Sequence, residues 1–290
     1  MTTKALPDEA LLTQIPLAKP HIQIKPNRGW SRLALHELWG YRSLLWFLTA
    51  RDIKGSHRQM ALGPLWIIIK PLVDMVIFSL IFGRLAKLPS DGVPYPIFTY
   101  TALLPWAFFS TASIASVGSL VSQMNVISKV YFPRLVVPVS AVLAGLVDLA
   151  VSFLVLLGMM AFFGFAPSWA ILTLPFYILL AAATALGVGL WGAAIAVQFR
   201  DLKNAVTYGI SVWMYATPVA YSASLIPERW QLLYQLNPLF WVVEGSRWAL
   251  LGTGQPPQPL MLVPVGLVLL LLIWGLFVFK RTERTIVDLL

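Results

Sequence analysis

Cysteine is absent from this 290-residue chain. That excludes disulfide staples and thiolate metal ligation. Acidic residues are scarce, 12 Asp and Glu against 21 Lys and Arg. Charges of both signs make up 11% of the chain, far below the roughly 25% of soluble domains. Histidine occurs only at His21, His36 and His57, and there is no H-E-x-x-H or comparable ligand cluster, so no metal site is expected. No G-x-x-x-x-G-K-[ST] occurs, so the chain offers no P-loop to ATP. No G-x-S-x-G or plausible Ser/His/Asp arrangement occurs either, and no catalytic residue is expected. Residues 1–28 lack the apolar core, about 7–15 residues long, of a secretory signal. Pro7, Pro16, Pro20 and Pro26 interrupt them, and they read as a mobile cytoplasmic tail.

What is present is apolar. The chain is 58% hydrophobic, a composition suited to lipid rather than to a soluble globule. Six runs lie at about 62–83, 97–121, 135–163, 169–197, 204–222 and 259–279. Each is close to or above the ~20 residues that cross hydrocarbon as a helix. The reading is an all-α membrane protein with six transmembrane helices. The net charge of +9 would fit a nucleic-acid binder, but its distribution follows membrane orientation instead. Sixteen Lys and Arg fall before the first run and after the second, fourth and sixth. Four fall on the opposite side: Arg84, Lys87, Arg229 and Arg247. Basic residues collect on cytoplasmic loops. Both ends are therefore expected in the cytoplasm, and nucleic acid is not expected as a partner.

Residues 31–51 carry Leu38, Tyr41, Leu45 and Leu48 on one helical stripe, with Arg32, His36, Gly40 and Ser43 opposite. Trp39 and Trp46 suit the headgroup level, and the segment reads as an amphipathic helix along the inner leaflet. Residues 223–258 are aromatic and broken by Pro227, Pro238 and a Gly/Pro cluster at 252–259. Their apolar pieces are too short to span and read as short re-entrant helices, about 227–251, on the outer side. Trp230, Tyr234, Trp241, Glu244 and Arg247 are the candidates for a gate there; an ordinary capping loop fits the same residues. Glu244 and Arg247, at i, i+3, have the spacing of a local structural pair.

Lys70, Asp74 and Asp148 are the charges inside the runs. Each costs about 2.5–3.5 kcal/mol at a helix centre. Lys70 and Asp74, at i, i+4, fit the polar lining of a pathway and equally an ion pair near the inner boundary. Asp148 is the single charge of its run and is expected to face protein rather than lipid. Trp66, Phe78 and Phe82 lie on the first run, and Tyr208, Trp213 and Tyr215 on the fifth. Their flat faces suit the C–H faces of sugar rings, and belt or core positions use the same residue types. Three cytoplasmic surfaces stand out. One carries Arg51, Asp52 and Lys54, and another Arg200 and Asp201. The third is the half-apolar link at 126–138, with Lys129, Tyr131, Phe132 and Arg134.

The runs G-P-L-W-I-I-I-K-P-L (63–72), I-F-G-R-L-A (81–86), D-G-V-P-Y-P (91–96), L-L-P-W-A-F-F (103–109) and I-S-K-V-Y-F-P-R-L-V-V-P (127–138) resemble ABC-2 type permeases. More narrowly they resemble the Wzm- and TagG-like group of O-antigen, capsule and teichoic-acid exporters. Q-F-R-D-L (198–202) and L-N-P-L (236–239) extend the match, which covers about 35–285. The resemblance implies a tail at 1–28, an interface helix and linker at 29–60, and a transmembrane domain at 61–290. It implies a homodimer with two copies of a separate P-loop ATPase, which holds the ATP and Mg2+; this chain itself has no cofactor. It also implies a lipid-linked glycan as substrate and a pathway between protomers lined by the first and fifth runs. Trp66, Lys70, Asp74, Phe78, Phe82, Tyr208, Trp213 and Tyr215 are the lining candidates. The coupling candidates are Arg51, Asp52, Lys54, Lys129, Tyr131, Phe132, Arg134, Arg200 and Asp201, with Tyr131 and Phe132 seated in a groove of the ATPase. One departure is Lys70, where the family commonly has a neutral Gln. Export of a drug or lipid is the rival within the class. An intramembrane glycosyltransferase needs a carboxylate pair or metal site, and no convincing pair is present. An ion channel needs a charged ring or filter.

Overall fold

The computed structural model describes residues 35–57, 62–127, 129, 132–166, 168–199 and 201–285. The secondary structure of these residues is helical. Two short helices come first, α1 (Leu35–Gly40) and α2 (Arg42–His57). Then follow α3 (Trp66–Phe78), α4 (Tyr95–Ser122), α5 (Met124–Ile127), α6 (Val136–Phe163) and α7 (Leu174–Ala196). The chain ends with α8 (Leu202–Tyr215), α9 (Glu228–Gln235), α10 (Pro238–Leu251) and α11 (Leu262–Thr285). A 3-10 turn precedes α3, and a π-turn, Ser79–Leu85, extends it. Five segments are long and apolar enough to cross a membrane: Gly63–Leu85, Tyr95–Ser122, Val136–Phe163, Trp169–Ala196 and Pro259–Glu283.

α4 is the central helix. It packs against α3, α6, α7, α8 and α10, while α11 packs on α7 and α2 on α6. Of the five long segments α4 is the least hydropathic and the most buried. The physics follows from the solvent. Lipid is as apolar as leucine, so the interior is chosen by small and polar side chains that allow close approach. Thr99, Thr101, Ser113, Ser116 and Ser119 of α4 are all buried. Gly189 of α7 meets Ser116, and Gly192 meets Val117, so closely that a Cβ at either position would collide.

Pro71 lies inside α3 and removes the N–H that would bond the Ile67 carbonyl. The Ser152 hydroxyl of α6 donates to that carbonyl instead, at 3.3 Å. A freed backbone group at membrane depth is thus satisfied from the neighbouring helix.

The expected fifth span, 204–222, takes a different form. α8 has 14 residues, about 21 Å at 1.5 Å per residue, short of the ~30 Å hydrocarbon core. It stops because Thr217 precedes Pro218, and a residue before proline is pushed out of the helical region. The amphipathic segment corresponds to α1 and α2, with Leu48 buried and Leu38 and Leu45 packed beside it. The short outer helices exist as α9 and α10. Asn237 caps α10 by accepting from Leu239 N at 3.0 Å, and Gly252, at φ 72°, ends it.

Candidate functional site

Two clefts meet on the face shared by α2, α3, α4, α6 and α8. The first, about 630 Å³, is bordered by Arg51 and Asp52 of α2, Gln123 at the end of α4, Asp148 of α6 and Lys203 of α8. The second, about 290 Å³, is bordered by Trp66, Lys70 and Asp74 of α3, Phe108 of α4, and Leu149 and Ser152 of α6. Thr111, Gly145 and Asp148 border both, so the two adjoin. The space exists because the floor of the first is built from Ala112, Ala115, Gly118, Ala141, Ala144 and Gly145. Lys203 lies along Gly118, 3.4 Å from where a Cβ there would sit.

Charge in the clefts is balanced. Arg51, Lys70 and Lys203 are matched in number by Asp52, Asp74 and Asp148. Arg51 Nη2 meets Asp52 Oδ1 at 2.8 Å, and the Ser140 hydroxyl donates to Asp52 Oδ2 at 3.2 Å. Lys70 and Asp74 share the second cleft one turn apart, and among the described residues no ion pair joins them. Gln123 is 8% exposed, and among the described residues its Oε1 has no hydrogen-bond partner. The clefts therefore present donors and acceptors side by side, with no excess of either sign.

The lining candidates divide. Trp66, Lys70 and Asp74 border the second cleft. Tyr208 and Tyr215 are 74% and 70% exposed on the open face of α8. Phe78 and Phe82 are half-buried and meet edge to face at 5.5 Å. Trp213 is half-buried: it meets Phe109 of α4 edge to face at 5.3 Å, and its indole N–H donates to Asn237 Oδ1 at 3.1 Å.

The coupling candidates divide as well. Arg51 and Asp52 form their ion pair at the cleft, while Lys54, Lys129 and Asp201 are exposed. Tyr131 and Arg200 lie outside the described residues. Phe132 is buried within the chain. It is 5% exposed and sits in a cluster with Leu48 of α2 and Phe279 of α11. Arg134 Nη1 donates to Glu283 O at 2.5 Å, and Lys280 pairs with Glu283 at 3.3 Å. The link is thereby joined to the interface helix and to the last long helix.

The outer end holds an arrangement that short-range spacing does not reveal. After α8 the backbone at 216–222 is irregular, yet each of its carbonyls is bonded. Asn237 Nδ2 donates to Ala216 O at 3.2 Å, and Val219 N to Thr217 O at 2.7 Å. Arg247 Nη1 donates to Pro218 O at 2.7 Å and to Tyr221 O at 3.3 Å, and Nη2 to Val219 O at 2.8 Å. The Tyr95 hydroxyl donates to Ala220 O, and Leu225 N donates to Ser222 O at 3.1 Å. Arg247 is 0% exposed, pairs with Glu244 Oε1 at 2.9 Å and lies 3.7 Å over the Phe98 ring. Burial pushes the Glu244 carboxyl up and the Arg247 guanidinium down, and each charge opposes the shift of the other. Asp91 accepts from the Ser222 hydroxyl at 2.6 Å and anchors the turn to the loop before α4. Of the gate candidates, Trp241, Glu244 and Arg247 are buried, while Trp230 is exposed and Tyr234 half-buried. Trp230 and Tyr234 border a third cleft of about 310 Å³ with Tyr221 and Pro227. The i, i+3 spacing of Glu244 and Arg247 was the legible part of this nexus.

Long apolar helices around a more polar central one, with polar clefts open on one face, define a multi-pass membrane protein of the transporter class. Residues 43–251 match the ABC-2 type transporter family, and the chain belongs to that family. It is 31% identical over 254 residues to the O-antigen export system permease protein RfbA of Myxococcus xanthus, covering 86% of this chain and 96% of that protein. The O-antigen export system permease protein RfbA of Klebsiella pneumoniae is 27% identical over 252 residues, 85% of this chain and 95% of its own length. The polysialic acid transport protein KpsM of Escherichia coli is 24% identical over 213 residues, 70% of this chain and 80% of its own.

Proposed function

We propose that this chain is the membrane-spanning permease subunit of an ATP-driven exporter that moves a lipid-linked polysaccharide across the bacterial cytoplasmic membrane. The observation that carries this is the 31% identity, across 86% of the chain, to an O-antigen export permease. The chain has no P-loop. The motor is a separate ATPase, present in two copies and holding ATP and Mg2+. It docks on the cytoplasmic side, where Lys54, Lys129 and Asp201 are exposed. Two protomers pair so that the open faces of α3 and α8 enclose the pathway. Trp66, Tyr208 and Tyr215 offer aromatic faces to sugar rings there. α8 with the turn at 216–222 forms a short sixth crossing, and both chain ends lie in the cytoplasm. Movement of α2 reaches α11 through Leu48, Phe132 and Phe279, with Arg134 holding the end of α11.

The test is genetic and biochemical. Removing the gene should abolish a surface glycan and leave its lipid-linked form on the inner face of the membrane. The tagged chain should co-purify with a P-loop ATPase. Surface glycan at the native level in the deletion strain overturns the proposal.

A further inference from the structure

The charge lining the clefts narrows the substrate class, and this step rests on the functional reading above. Across the two clefts cations and carboxylates are equal in number, Arg51, Lys203 and Lys70 against Asp52, Asp148 and Asp74. Asp148 borders both clefts. Pores that carry anions line themselves with rings of Arg and Lys in excess. Here there is no excess, and a second protomer related by two-fold symmetry repeats the same balance. The outer cleft supplies an independent observation. Tyr221, Leu225, Ile226, Pro227, Trp230 and Tyr234 line it, and none is charged. An acidic polymer would meet cations and carboxylates in equal number, with no net attraction, and then an uncharged aromatic rim. Nothing there offsets the cost of taking water from anionic segments, a cost that neutral segments do not carry.

The donor and acceptor set points the same way. Arg51 and Lys203 donate; Asp52, Asp148 and the buried Oε1 of Gln123, without a partner among the described residues, accept. A sugar hydroxyl does both, so a run of hydroxyls fits this alternation and a run of carboxylates or phosphates does not. We propose that the polymer segment held in these clefts is an uncharged glycan, and that the lining disfavours acidic polysaccharides.

The test uses the full chain in nanodiscs of zwitterionic lipid. Fluorescent maltoheptaose is the neutral probe and oligosialic acid of equal length the acidic one. At low ionic strength the neutral probe should bind roughly tenfold more tightly. Asp52→Asn combined with Asp148→Asn should reduce that preference at least about fivefold, and Lys203→Gln should widen it. The native protein supplies a second readout that needs no variant. Because the lining carries no excess of cations, added salt should change the binding of the acidic probe little. Equal or tighter binding of oligosialic acid, or binding of it that weakens with salt, overturns the inference and leaves the export reading standing. Binding of neither probe overturns both.

Discussion

The guanidinium of Arg247 donates to three backbone carbonyls and one carboxylate inside the protein. Removing it leaves Glu244 buried and uncompensated and frees the turn that ends α8. Arg247→Ala should cost about 3–5 kcal/mol, read as a fall in the thermal unfolding midpoint in detergent. Arg247→Lys should recover only part of this, because an ammonium cannot reproduce the planar fork. A midpoint within error of the native value for Arg247→Ala would show that the turn holds without it. The i, i+3 spacing of Glu244 and Arg247 exposed the pair in the sequence. What the pair holds was hidden, since its carbonyls lie 26 to 29 residues upstream. Ser152 gives a second residue-scale prediction. Its hydroxyl serves the carbonyl that Pro71 frees. Ser152→Ala should cost about 0.5–1.5 kcal/mol. In a Pro71→Ala background the restored N–H bonds Ile67 O, so the Ser152→Ala cost should fall close to zero. A thermodynamic cycle built from the four proteins reads the coupling directly.

At the scale of elements, hydrophobic runs located the long helices because lipid allows few other structures for a spanning chain. The runs did not show which helix is central. Burial in a membrane protein follows small and polar side chains, so the least apolar run, α4, was the inner one. Gly189 tests that packing. Gly189→Val drives its side chain into Ser116 and should abolish monodisperse folded protein on size exclusion. Gly158→Ala has open space around it and should elute like the native chain. The family resemblance leads one to expect Tyr131 and Phe132 in a groove of an ATPase. Phe132 is buried in a cluster with Leu48 of α2 and Phe279 of α11, residues far apart in sequence that no local pattern brings together. Phe132→Ala should cost about 3–5 kcal/mol as a core truncation. The loosened α2 should be cut faster in limited proteolysis, whereas a residue serving only an external partner would leave both measurements unchanged.

At the scale of the whole molecule, crossing number and charge place a constraint on each other. Five long apolar segments alone would leave the chain ends on opposite faces. The distribution of Lys and Arg leads to the expectation of both ends on the cytoplasmic face. The two agree only if α8 and the turn at 216–222 also cross. The bonded carbonyls of that turn remove the usual objection to irregular backbone at membrane depth. The absence of cysteine makes a direct experiment simple, since any single introduced cysteine is the only thiol. Lys54, ahead of the first long segment, and Arg281, at the end of the last, are both exposed. Lys54→Cys and Arg281→Cys should both resist a membrane-impermeant maleimide in intact spheroplasts and both react after permeabilisation. Trp230→Cys, exposed on α9, should react in intact spheroplasts. If Lys54→Cys and Arg281→Cys label from opposite sides, α8 does not cross, the number of crossings is odd, and the cytoplasmic placement of one chain end is wrong.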